Sequence, residues 1–237
     1  MFTVAIHQPH YLPYTGYLDK WDQADLLILL DDAQFSRGGW QNRNAVKTAE
    51  GSRMLTVPVR HGGFRTLREV PIDYSQPWVR THTRTLSQAY TRAPYAHLLS
   101  SFLEEVYCRR WRSLSELTVQ CTVTLGRMFD IETPTVLSST LGSIPGRRSE
   151  RLAALCRAVD ADTYLAGDGC AVYLDRQPFD EAEIEVLWQK FAHPRWPQLH
   201  RQHGFLTHLT ALDLLLNTGP DARAVLRGPR LFAEAAR

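Results

Sequence analysis

Residues 4–44 read VAIHQPHYLPYTGYLDKWDQADLLILLDDAQFSRGGWQNRN, and the fold is decided there. Val4–Ile6 is a short apolar run that stops at His7-Gln8-Pro9-His10, because Pro9 cannot continue a central strand. Over 14–24, Tyr14, Tyr17, Leu18 and Trp21 recur at three- and four-residue spacings, the pattern of a helix with one apolar face. Leu26–Leu30 is wholly aliphatic, too short for a typical helix and suited to a strand buried on both faces. It ends in Asp31, Asp32 and a polar loop. Strand, helix and strand in this compass make a βαβ unit, whose strands run parallel. His7 and Asp32 therefore leave the sheet at the same carboxyl edge, where open α/β sheets bind their ligands. The site is expected at that edge.

Outward from this unit, Arg53–Val59 reads as another strand, with Pro58 at its end or on an edge. His61–Phe64 reads as a turn and Leu67–Ile72 as a short strand. Trp78, His82, Leu86 and Tyr90 form one stripe of a helix that Pro94 breaks; Leu98–Trp111 is a second helix. Ser113 and Glu116 make a capping box that opens a third, through Leu117, Cys121, Leu125 and Met128. Thr135–Leu137 resumes a strand, Ser149–Val159 is helical, and Thr163–Ala166 is a strand ending at Gly167-Asp168-Gly169-Cys170. Glu183–Phe191 alternates like a strand, Thr210–Asn217 is a core helix stopped by Gly219-Pro220, and little beyond Arg227 asks for burial. The sum is an α/β fold: a mostly parallel sheet with flanking helices and a helical insertion at about 78–129, expected as a single domain over 1–237.

Composition narrows the function classes. Hydrophobic residues at 44% and charged ones at 22% fit a globular chain with a sizeable core. A formal net charge of +2 gives no footprint for nucleic acid or an anionic membrane. The longest aliphatic run falls far short of the ~20 residues of a membrane helix, and no signal peptide precedes the first strand, so a cytoplasmic location is expected. The nine histidines contain no H-x-x-x-H pair and the four cysteines, at 108, 121, 156 and 170, no C-x-x-C pair. Reduced thiols and no metal centre are the expectation.

His7, at the end of a strand, is the first catalytic candidate, as a general base or acid. Gln8, His10 and Tyr11 are expected beside it as binding residues. Of the two aspartates, Asp32 is the candidate to orient His7, since an aspartate near a histidine fixes its tautomer and raises its basicity; the plainer reading is a pair of solvated turn carboxylates. Trp40-Gln41-Asn42-Arg43-Asn44 concentrates two amide types, a guanidinium and an apolar wall, and reads as a substrate loop. Its plainer reading is a loop whose Asn side chains satisfy its own backbone. Cys170, presented by a turn after a strand, could serve as a nucleophile if a histidine lowered its pKa, whereas most unpaired cysteines are small hydrophobes. Tyr173, His193, Gln198 and His208 are weaker binding candidates. Arg147, Arg148 and Arg151, or Arg109, Arg110 and Arg112, could form a basic docking surface.

His7-Gln8-Pro9-x-Tyr11-Leu12-Pro13-x-x-Gly16-Tyr17, Ala24-Asp25, Asp31-Asp32-x-Gln34-Phe35 and Trp40–Asn44 together resemble the WbqC-like family. The resemblance continues through Leu55–Pro58, Tyr164–Gly167, Tyr173–Asp175, His193-Pro194 and Leu212–Leu215, nearly the whole chain. It implies a biosynthetic transferase of polysaccharide or natural-product pathways, antibiotics among them, with His7, Gln8, Asp32 and the Gln41–Asn44 loop as family positions. At Cys170 the sequence departs from the family pattern, in which a small non-thiol residue is more usual. The leading expectation is amide formation: an acyl or aminoacyl group moves from the thioester of an acyl or peptidyl carrier protein to a small-molecule amine, such as an amino sugar. No cofactor is then needed, phosphopantetheine entering only as part of the carrier substrate. The alternatives are nucleotidyl or phosphoryl transfer from ATP with Mg²⁺ on Asp31 and Asp32, and a non-catalytic subunit of a biosynthetic complex.

Overall fold

The computed structural model of the protein describes residues 1–60, 66–170 and 172–235. Five strands form one parallel sheet: β1 (Thr3–His7), β2 (Leu26–Leu29), β5 (Thr135–Leu137), β6 (Thr163–Ala166) and β7 (Glu185–Trp188). Their spatial order is β5-β2-β1-β6-β7. The polypeptide starts in the middle, builds outward through β2 and β5, then returns to the other side of β1 to lay down β6 and β7. The strand order thus reverses between β1 and β6.

The pleat explains why these strands read as unbroken apolar runs. Ala5, Leu27 and Leu29 face one core; Val4, Ile6, Ile28, Tyr164 and Ala166 face the other. The first core is covered by α1 (Thr15–Asp22), which links β1 to β2, and by α2 (Trp78–Tyr90), α3 (Leu98–Tyr107) and α4 (Leu114–Met128). Helices α7 (Ala211–Thr218) and α8 (Ala222–Ala235) join the same side. The second is covered by α5 (Arg148–Ala158) and the short α6 (Gln177–Asp180). This is an α/β fold with a parallel sheet flanked by helices on both faces.

Most elements lie where the sequence places them. The hydroxyl of Ser113 accepts the Glu116 amide at the start of α4, while the Glu116 carboxylate takes the Arg112 amide instead of closing the box on Ser113. Thr210 caps α7 through the Leu212 amide, and Gly219, at φ 57°, ends it.

Three segments differ. Leu67–Glu69 is a 3-10 turn, joined to its surroundings by isolated bridges at Thr66, Pro71 and Ile72, where a strand was expected. Arg43–Thr48, expected to begin in a loop, is strand β3, paired antiparallel with β4 (Gly51–Thr56) in a separate hairpin. The C-terminal helix continues past Arg227 to Ala235. The turn expected at His61–Phe64 lies outside the described residues. No helix among the described residues is long and apolar enough to cross a membrane.

Candidate functional site at the switch point of the sheet

A cavity of about 510 Å³ opens at the carboxyl ends of β1 and β6. In an open α/β sheet, the place where strand order reverses leaves a crevice, because the connections from the two strands depart to opposite faces. Here β1 delivers His7 and His10 to one wall, while β6 delivers Gly167, Gly169 and Cys170 to the other. Helix α1 adds Tyr17 and Lys20, and the segment after β7 adds Gln189 and Phe191. Trp40 and Tyr173 also line the cavity and are 47% and 58% exposed, so it reaches the surface.

By alternation along β1, His7 falls on the face of Ala5, the side of α1. Its ring meets the Tyr17 ring at 4.5 Å and the His10 ring at 4.7 Å. Nδ1 lies 2.9 Å from the Gln8 carbonyl oxygen. A carbonyl only accepts, so Nδ1 carries the proton and Nε2 keeps the basic lone pair. Burial lowers the His7 pKa well below the usual imidazole value, and the charge of Lys20 and the neighbouring His10 push the same way. Burial and Lys20 bring His10 down to about 3. Both rings are neutral near pH 7.

Lys20 was not foreseen as a site residue. Its Nζ donates to the Ile6 carbonyl at 3.0 Å, within the site. Burial lowers its pKa to about 8, opposed by the Cys170 sulfur. Cys170 is half-buried in a 3-10 turn, and its Sγ shares a 3.1 Å hydrogen bond with the Tyr173 hydroxyl. Burial, followed by that bond, holds the Tyr173 phenol above its ordinary pKa. Gln189 donates to the Gly16 carbonyl at 2.9 Å and to Asp19 at 2.7 Å, fixing the loop after β7 against α1.

The foreseen residues divide into three groups. His7, His10, Trp40, Asn44, Cys170 and Tyr173 come together at the cavity. Gln8, Gln41, Asn42 and Arg43 form its frame. Gln41 donates to the Gln8 side chain at 2.6 Å and accepts the Ser36 amide at 2.9 Å, clamping the 36–41 loop to the turn after β1. Asn42 donates to the Val57 carbonyl at 2.9 Å, Asn44 donates to the Leu12 carbonyl, and Arg43 bonds the Gly38 carbonyl with its guanidinium near the Trp40 ring. The third group lies elsewhere.

Tyr11 is fully buried, with its hydroxyl bonded to His82 Nδ1 at 2.7 Å and to the Tyr107 hydroxyl. It packs in the core under α2 because its side chain leaves the turn away from the crevice. Asp32 does not orient His7; the Gln8 carbonyl fills that place. The Asp32 carboxylate takes the Ser138 hydroxyl and the Arg151 guanidinium, each at 2.5 Å. Asp31 accepts from the Ser138 and Ser139 hydroxyls and the Ser139 amide at 2.7–3.1 Å. Both aspartates end β2, so they meet the turn after its neighbour β5, on the side of the sheet away from the switch point. Among the described residues no group of three His, Cys, Asp or Glu side chains is set to hold a metal ion.

The weaker candidates are mostly structural. His193 donates from Nδ1 to the Pro194 carbonyl and accepts the His208 amide at Nε2, so both nitrogens are used. Gln198 accepts from buried Lys47, and His208 stacks on Tyr14 at the cavity edge. Of the two basic clusters, Arg151 is held by Asp32, and Arg109 and Arg110 lie over Trp111 and Tyr74.

The sequence matches the WbqC-like protein family over residues 8–225. It is 33% identical over 231 residues to the uncharacterized protein Rv1507c of Mycobacterium tuberculosis, an overlap of 96% of this chain and 98% of that protein. No solved structure is significantly similar.

Proposed function

The chain belongs to the WbqC-like protein family, which speaks for a biosynthetic role, and from that premise we propose an amide-forming acyltransferase. Its donor is an acyl or aminoacyl thioester on a carrier protein and its acceptor a small amine. One observation carries this reading: neutral His7, its Nε2 left unprotonated by the Nδ1 bond to Gln8, shares one cavity with the Cys170 thiol. A base at neutral pH is what an attacking amine or thiol requires.

In the reaction the amine nitrogen attacks the thioester carbonyl carbon. The C–N bond forms, the C–S bond breaks, the amine proton passes to His7 Nε2, and the proton then leaves with the carrier thiol. In the two-step form Cys170 Sγ first displaces the carrier thiol, and the amine then displaces Cys170. The cavity volume suits a small acceptor with part of the acyl chain. Among its described lining residues there is no carboxylate to hold the incoming amine as an inert ammonium.

The test incubates the protein with acyl-loaded carrier proteins and candidate amines, following thioester loss and amide gain by intact mass. His7→Ala is expected to lower amide formation by about 10²–10⁴-fold. A Cys170→Ala variant that retains turnover assigns direct attack; one that loses it, together with an acyl adduct on the native protein, assigns the covalent route. No amide from any loaded carrier, with thermal stabilisation by ATP and Mg²⁺, would overturn the reading in favour of nucleotidyl transfer.

A further inference from the structure

Lys20 is 3% exposed and is the one formally charged side chain among the described lining residues of the cavity. An ammonium can donate three hydrogen bonds, and among the described residues Nζ has one partner, the Ile6 carbonyl. Among the described residues, the attraction acting on it comes from the Cys170 sulfur and not from a carboxylate. Asp19, the adjacent residue of α1, turns its Oδ2 to Gln189 and Gln23. Removing a cation from water without a counter-charge is costly, and a group so perturbed in a cleft is a candidate to be completed by an incoming anion.

The surroundings define that anion. One cation with donors to spare, beside His7 and His10 that carry no charge, matches a single negative charge; a phosphate dianion calls for further cations. The cavity is also lined by aromatic side chains: Tyr14, Tyr17, Trp40 and Phe191.

We propose that Lys20 receives a carboxylate of the substrate, so that the amine acceptor is of the amino-acid class: its carboxylate on Nζ at the ends of β1 and β6, its apolar or aromatic body along Tyr14, Tyr17 and Trp40. The naming of the ligand as acceptor rests on the acyl-transfer reading; the carboxylate site does not. An acceptor held in this way carries its amine one carbon from the carboxylate, and His7 lines the same cavity as Lys20.

The experiment is equilibrium binding by calorimetry, free of any turnover, with phenylacetate, its neutral isostere phenylacetamide, and phenyl phosphate. Native protein is expected to bind phenylacetate at least about tenfold more tightly than the amide, a difference of about 1.4 kcal/mol. Lys20→Met is expected to abolish the difference while still binding the amide, which shows that its cavity is folded. Lys20→Arg serves as the second variant and is expected to restore part of the discrimination. Equal binding of acid and amide, discrimination that survives in Lys20→Met, tighter binding of phenyl phosphate, or no saturable binding of any probe would each overturn the proposal. Discrimination through Lys20 without amide formation from any carrier would sink the acyl-transfer reading alone. Amide formation indifferent to Lys20→Met would sink the carboxylate site alone.

Discussion

His7, His10 and His82 are each held neutral by burial, His10 at about 3 and His82 at about 4. In the unfolded chain an imidazole takes its proton near 6.5. Between that value and the folded one, the unfolded state binds protons that the folded state refuses. Stability is therefore complete above about pH 6.5 and falls as pH drops towards the folded values. At pH 5 the loss is about 2 kcal/mol for each of His10 and His82, and His7 adds to it in the same direction. Asp213, which burial holds above the ordinary carboxylate range, works in the opposite sense, and one such group does not offset three. Urea unfolding at pH 7.5 and 5.0 is expected to show a clearly lower midpoint at the acid pH; equal midpoints would contradict these neutral histidines. At this scale the sequence was a partial guide. His7, His10 and Cys170 were legible because a histidine or thiol just past a strand end has few structural reasons to be there. Lys20 was hidden, since its position in α1 reads as the solvated side of an amphipathic helix, yet every residue of that helix is buried. Its one signal was the three-residue step from Tyr17. Tyr11 and Asp32 were misplaced because strand-end position tells which edge a residue reaches, not which way its side chain turns.

Helix α1 approaches α4 closely at Gly126. A Cβ added at Gly126 would lie 2.0 Å from the Trp21 ring, which is itself held by a 2.9 Å bond from Nε1 to the Thr133 carbonyl. In an exposed helix, Gly→Ala would stabilise by about 1 kcal/mol through backbone entropy. Here overpacking against an anchored indole dominates, and Gly126→Ala is expected to destabilise by about 1–3 kcal/mol, read as a lower denaturant midpoint with an unchanged slope. A rise in midpoint would show that Trp21 can yield. The element pattern was legible for β1, α1 and β2, whose strands are buried on both faces and whose helix has a marked period. It was not legible for β3, where RNAVKT mixes charge and amide with few apolar side chains. There, pairing with β4 and fixed bonds such as Asn44 to the Leu12 carbonyl hold the strand, in place of an apolar face. Leu67–Glu69 misled in the other sense. Leu67 and Val70 are buried, but as single anchors of a turn and not as an alternating row.

Across the whole molecule, α1 is held from both sides. One side lines the cavity through Tyr17 and Lys20; at its end, the buried Asp22 carboxylate receives Arg223 at 3.0 Å and Arg227 at 2.6 and 2.8 Å from α8. A fully buried pair broken in this way costs about 3–5 kcal/mol, and since both arginines reach solvent the cost here is on the order of 2 kcal/mol. Asp22→Asn is expected to lower thermal stability accordingly. It should also weaken binding of phenylacetate, because the helix that carries Lys20 loses its outer support. An unchanged melting temperature would show that the C-terminal helix does not brace the site. The position of the cavity, at the carboxyl edge near His7, was readable from the βαβ opening. Its placement between β1 and β6 was not, because the pairing of residues 3–5 with 163–165 leaves no local trace in a sequence.

That long-range pairing sets a timetable for synthesis. The central strand is translated before its partners in the sheet, yet its second neighbour exists only once residues 163–166 have been translated. At about 5–20 residues per second, one open edge of β1, with the histidine wall beside it, waits roughly 10–30 s for its partner. During that interval the nascent chain offers an apolar strand to any other chain. The early part of this protein is therefore expected to pass through a state with one sheet edge uncovered, until β6 closes it.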